Sequence, residues 1–107
     1  MEHLTLPQAV ADFVAATNAH DTTALAAVFG EGAGVRDDGT TYVGEAAIRE
    51  WIQVHLINPK IVLTPISFEG NRLVASGDGE FPGGPLSFAF DFGVQDDRIT
   101  SLEIAPV

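Results

Sequence analysis

Cysteine is absent from the 107 residues. That excludes disulfides, thiolate metal sites and thiol nucleophiles, and it fits a reducing compartment, so a cytoplasmic location is expected. Basic residues are scarce: five Lys and Arg stand against fifteen Asp and Glu, a formal charge of -10. Such a surface repels phosphates and anionic lipid headgroups, so neither nucleic acid nor membrane is an expected partner. Long apolar runs are missing too. Nothing approaches the roughly 20 residues that span a bilayer, and the start, MEHLTLPQAV, lacks the basic and apolar regions of a signal peptide. There is no P-loop, dinucleotide-binding glycine signature or Gly-x-Ser-x-Gly elbow, because Ser76-Gly77-Asp78-Gly79 falls within a strand-like run. Three scattered histidines without close carboxylates make no convincing metal site, and no cofactor is expected.

What remains is globular in composition, 46% hydrophobic and 19% charged, and short enough for one domain spanning residues 1–107. Thr5 and Gln8 have capping-box spacing, Pro7 suits a first turn, and Leu6, Ala9, Val10, Phe13, Val14 and Thr17 recur at helical intervals. A helix over about 6–18 follows. Asp21 caps a short second helix carrying Leu25, Val28 and Phe29. Gly32–Arg36 and Thr40–Val43 flank Asp37-Asp38-Gly39, a hairpin pattern. A third helix, about 45–56, places Ile48, Trp51, Ile52 and His55 on one stripe and stops at Asn58-Pro59.

The rest is strand-like: IVLTPISF, RLVASGDGEF, LSFAFDFGV and ITSLEI, divided by turn residues. The plan is α+β, with three helices covering one face of a curved, mainly antiparallel sheet that closes into a cone. Leu86, Phe88, Phe90 and Phe92 alternate with small or polar residues and should face the helices. Opposite them stand Leu73, Ala75, Gly77, Gly79 and Phe81. So small a facing strand either lets rings lie flat on backbone or leaves a hollow. Ile61, Leu63 and Ala89 can add apolar area to the outer face, where a second copy would pair to form a homodimer.

The order of elements, with VADFVAATNAHDTTALAAVF, GVRDDGTTYVGEAAIREWI and then four strands, resembles the nuclear transport factor 2-like (NTF2-like) superfamily, and within it the SnoaL-like and ketosteroid isomerase-like branch. Asn18-Ala19-His20-Asp21, Phe29–Val35 and Gly44–Arg49 carry most of the likeness. That superfamily hosts isomerases, cyclases, epoxide hydrolases, dehydratases and binding domains on one fold, so fold alone does not settle activity. The resemblance implies a catalytic carboxylate at Asp37, shortly after Ala33-Gly34-Val35, with Asp38 beside it. It also implies that the two oxyanion donors of the ketosteroid isomerases are replaced here by Phe13 and Phe90. Losing one such donor typically lowers a rate about 100- to 1000-fold.

Asp37 is therefore the candidate general base: a carboxylate among Phe13, Trp51, Phe88 and Phe90 would be poorly solvated and so more basic. Asp-Asp-Gly is equally ordinary turn chemistry. His55, one helical turn after Trp51, is a candidate second acid or base, or else a satisfied histidine at a helix end. Phe13, Thr17, Trp51, Phe88 and Phe90 are the candidate substrate-binding residues, with core packing as the alternative. Tyr42, the only tyrosine, could supply a phenolic hydrogen bond or pack at an edge. Arg49 lies off the inner stripe and reads as a solvated surface residue or as a partner of Glu45 one turn earlier. His3 and His20 read as surface residues. The expected function is cofactor-independent proton transfer on a small apolar molecule, of isomerase or lyase type. The alternative is a non-catalytic binding or dimerisation module.

Overall fold

The computed structural model describes residues 5–80 and 84–107; His3 and Phe81 lie outside that range. Helix α1 spans Gln8–Asn18, α2 Thr22–Ala27 and α3 Glu45–Ile52, with a π-helical turn over Gln53–Ile57 continuing α3. Strands are β1 Phe29–Asp37, β2 Thr40–Val43, β3 Val62–Glu69, β4 Arg72–Asp78, β5 Leu86–Gln95 and β6 Arg98–Pro106. The six strands form one sheet in the order β2-β1-β6-β5-β4-β3. Every pairing is antiparallel except β1 with β6. The helices are not all grouped ahead of the strands, because the β1–β2 hairpin intervenes before α3.

Three hairpins turn through two residues with positive φ, the geometry that matches strand twist. Asp38 and Gly39 (φ 50° and 77°) join β1 to β2, Gly70 and Asn71 (56° and 64°) join β3 to β4, and Asp96 and Asp97 (54° and 60°) join β5 to β6. The Thr5–Gln8 capping box does not form. Pro7 occupies the cap position of α1 without a side-chain cap, and Gln8 Nε2 donates instead to Asp12 Oδ1 at 2.8 Å. Asp21 does cap α2, accepting from the Ala24 N–H at 3.0 Å.

One apolar cluster joins helices and sheet: Val10, Phe13 and Val14 of α1, Leu25 of α2, and Ile48, Trp51 and Ile52 of α3 meet Val35, Leu73, Phe90, Phe92, Leu102 and Ile104. The expected parity of β4 and β5 holds for Leu73, Ala75, Phe90 and Phe92, all buried. Leu86 does not follow it and is exposed. The space above its cross-strand partner Gly77 is taken by the Phe88 ring, 3.3 Å from where a Gly77 Cβ would stand. The ring therefore lies against backbone at this position. Leu63 and Ile61 are not on the outer face: Leu63 is buried and Ile61 packs against the same cluster, so only Ala89 of that trio lies outward, between Val74 and Ala105. A bulge between Pro65 and Ser67 lets β3 keep both Leu63 and Phe68 inward. On the outer face, Arg72 meets its cross-strand partner Asp91 at 2.9 and 3.3 Å, and that carboxylate pushes the guanidinium further up from its ordinary range.

Candidate functional site

The site is built on the β1–β2 hairpin and the helix that crosses it. Pairings of β1 place Asp37 opposite Thr40 and Val35 opposite Tyr42, so Asp37 and Tyr42 share the inner face with the buried Val35. Following the register across the sheet gives one inner row: Thr40, Asp37, Ile104, Phe90, Leu73 and Phe68. Asp37 is the only charged member, half-buried beside the buried Ile104.

Trp51 reaches this carboxylate from α3. Its Nε1 donates to Asp37 Oδ2 at 3.0 Å, while the indole, 1% exposed, meets Phe29 edge-on at 6.4 Å between centroids. Among the described residues no donor is directed at Oδ1. The arrangement holds the carboxylate through one of its two oxygens. Asp38 lies in the turn, exposed.

His55 is exposed, with Nε2 3.4 Å from the Tyr42 hydroxyl, a long hydrogen bond. The expected stripe of Trp51 and His55 is altered by the π turn. Its hydrogen bonds close over five residues, as from the Asn58 N–H to the Gln53 carbonyl, and the inward direction falls to Leu56, five residues after Trp51. Helix α3 thus ends at Ile52, not at residue 56, and the Trp51–Asp37 and Tyr42–His55 contacts join it to the hairpin side by side.

The remaining candidates divide by depth. Phe13 is fully buried, with ring centroids 6.3 Å from Phe29, 6.0 Å from Phe90 and 5.5 Å from Phe92. Thr17 is fully buried and its hydroxyl donates to the Phe13 carbonyl at 2.8 Å. Phe90 is 3% exposed. A ligand touches these three only if the rings move apart. Phe88 is half-buried, toward the end of the sheet where it pairs with Pro106.

The Asn18–Asp21 segment carries contacts that residue type alone did not reveal. Asn18 both donates to the Leu63 carbonyl at 3.0 Å and accepts from the Leu63 N–H at 2.7 Å, pairing with an edge strand as another strand would. His20, read as a surface residue, is half-buried at φ 54°, with Nε2 3.0 Å from the Ile61 carbonyl. Arg49 Nε donates to Glu45 at 3.1 Å, as its spacing suggested. Among the described residues no three metal-binding side chains come together, and no helix is long and apolar enough to cross a membrane.

Residues 10–102 match the family model of the SnoaL-like domain. The chain belongs to the SnoaL-like family. The same fold appears in a candidate polyketide cyclase from Sinorhizobium meliloti, at 32% identity and TM-score 0.83, covering 94% of this chain and 95% of that one. A Mycobacterium tuberculosis protein solved with estradiol-17beta-hemisuccinate shares the fold at 17% identity and TM-score 0.77, over 90% of this chain and 88% of that one. The epoxide hydrolase/cyclase-like enzyme SalBIII, which has a role in pyran ring formation in salinomycin, shares it at 17% identity and TM-score 0.79, over 94% and 88%. No curated protein matches the sequence significantly. At those two lower identities the likeness concerns the NTF2-like, SnoaL-like fold alone.

Proposed function

We propose that this SnoaL-like protein is a cofactor-independent proton-transfer enzyme, of isomerase or lyase type, that acts on a small apolar molecule with Asp37 as general base. The carrying observation is the carboxylate itself: half-buried, fixed through Oδ2 by Trp51 Nε1, and standing in a row with Ile104, Phe90 and Leu73. The Trp51 contact fixes the direction of the carboxylate. His55, beside Tyr42, serves as the second acid or base at the rim. Phe88, half-buried, is the apolar wall nearest the surface, and the buried Trp51, Phe13, Thr17 and Phe90 line the site once the rings move apart.

Phenyl rings at positions 13 and 90 offer no hydrogen bond to a developing oxyanion. Substrates should therefore carry a good leaving group or delocalise their own negative charge, which favours eliminations and activated isomerisations over enolisation of simple ketones. The neighbours that bind steroids or take part in polyketide chemistry support a small, largely apolar substrate. The protein is proposed to act in the cytoplasm as a homodimer through the outer sheet face, without nucleic-acid or membrane partners. Sedimentation as a monomer at high micromolar concentration would contradict the dimer.

Turnover of activated C–H substrates by the parent and by Asp37→Asn tests the catalytic reading, with an expected loss of at least about 100-fold. Equal rates would remove Asp37 from the mechanism. Phenyl rings at positions 13 and 90, in place of polar catalytic groups, favour a second reading, a non-catalytic small-molecule-binding or dimerisation module. A ligand that raises the melting temperature with no turnover in either protein would support it.

A further inference from the structure

A cavity of about 590 Å³ lies between α2, the glycine-rich start of β1 and α3. Neither Asp37 nor Trp51 lines it, so it is a different place from the site described above. Its apolar lining is Ala26, Ala27, Phe29 and Ile48, and its charges are Glu31, Glu45, Arg49 and Arg98, of which Arg49 and Glu45 pair with each other. A Cβ at Gly32, where φ is +74°, would meet nothing within 4 Å, so this wall borders open space.

Arg98 distinguishes the cavity. Arg36 pairs with Glu103, Arg49 with Glu45, Lys60 with Glu80 and Arg72 with Asp91. Of the five basic residues only Arg98 lacks an acidic partner among the described residues, in a chain with fifteen acids. It also lines an adjoining groove of about 470 Å³ between α1 and α2. A guanidinium presents a planar fork of donors that matches a carboxylate. Glu31, in the same wall, disfavours a doubly charged anion.

We propose that this cavity binds a small monocarboxylate with an apolar body, its carboxylate on Arg98 and its chain against Ala26, Phe29 and Ile48. The volume lies within the usual range for small-molecule sites. The proposal does not depend on Asp37.

The test is an amide-resolved NMR titration of the full chain with sodium hexanoate, alongside hexanol, hexylammonium chloride and sodium phosphate. Hexanoate should shift the amides of Ala26 and Gly30–Gly32 saturably, and each of the other three should bind at least about fivefold more weakly. Arg98→Gln, a change at an exposed position, should weaken hexanoate about tenfold or more. Arg36→Gln removes the same charge elsewhere and should retain binding. Asp37→Asn should also retain it, which separates this result from the fate of the proton-transfer reading. Equal loss in Arg36→Gln and Arg98→Gln, equal binding of hexanol or phosphate, shifts centred on Asp37 and Trp51, or no saturable shift would each overturn the proposal.

Discussion

Trp51 and Asp37 are joined by a 3.0 Å hydrogen bond that ties a buried indole on α3 to a half-buried carboxylate at the end of β1. The contact links the helix to the hairpin as well as orienting the candidate base. Trp51→Phe removes the donor and leaves a void in the core, so it should lower stability by about 2–4 kcal/mol in urea unfolding. Asp37→Asn keeps an acceptor at the same place and should change stability by less than about 1 kcal/mol. Equal, large losses would mean that the contact is chiefly a structural ion–dipole clamp.

Asn18 satisfies both backbone groups of Leu63 with one side chain, across 45 residues of sequence. Asn18→Ala leaves a partly buried N–H and C=O without their protein partner. A loss of about 1–3 kcal/mol is expected by thermal or chemical denaturation. Faster amide exchange at Leu63 should accompany it, and unchanged exchange would contradict the role assigned to Asn18.

Gly77 and Gly79 differ in what an added methyl would strike. At Gly77 the nearest atoms belong to the Phe88 ring, at 3.3 and 3.4 Å, and a ring can turn. At Gly79 the nearest is the Pro59 carbonyl oxygen at 2.6 Å, followed by Ile61 Cδ1 at 2.9 Å. Gly79→Ala should therefore destabilise by about 1–3 kcal/mol, and Gly77→Ala by less. The reverse order would show that the Phe88 ring cannot move.

Phe13 and Phe88 should respond differently to truncation. Phe13→Ala empties the centre of a cluster of rings and should cost about 3–5 kcal/mol. Phe88→Ala, at a half-buried position, should cost less and alter apparent KM for apolar substrates. If Phe88→Ala leaves KM unchanged, Phe88 is not a substrate wall.

Much of this architecture could be read from residue types. The three two-residue turns announced themselves as Asp38-Gly39, Gly70-Asn71 and Asp96-Asp97, because few residues other than Gly, Asn and Asp tolerate left-handed backbone. Alternation in LSFAFDF marked Phe90 and Phe92 as buried. Less visible was whatever depends on side chains from distant segments. Nothing local shows that Asn18 would pair with Leu63, or that a π turn would hand the inward position from His55 to Leu56. The outward assignment of Leu63 failed because strict alternation along β3 puts Leu63 and Phe68 on opposite faces, whereas the bulge between Pro65 and Ser67 turns both inward. The parallel β1–β6 pairing is similarly non-local, joining residues as far apart in sequence as Asp37 and Ile104.

Loss of a substrate C–H signal in deuterated buffer reads proton abstraction itself, without requiring a complete reaction. The parent protein should exchange the acidic C–H of an activated carbon acid at least about 100-fold faster than Asp37→Asn, with Trp51→Phe between them. Equal exchange by the parent and Asp37→Asn, at matched folded concentration, would contradict the assignment of Asp37 as the base.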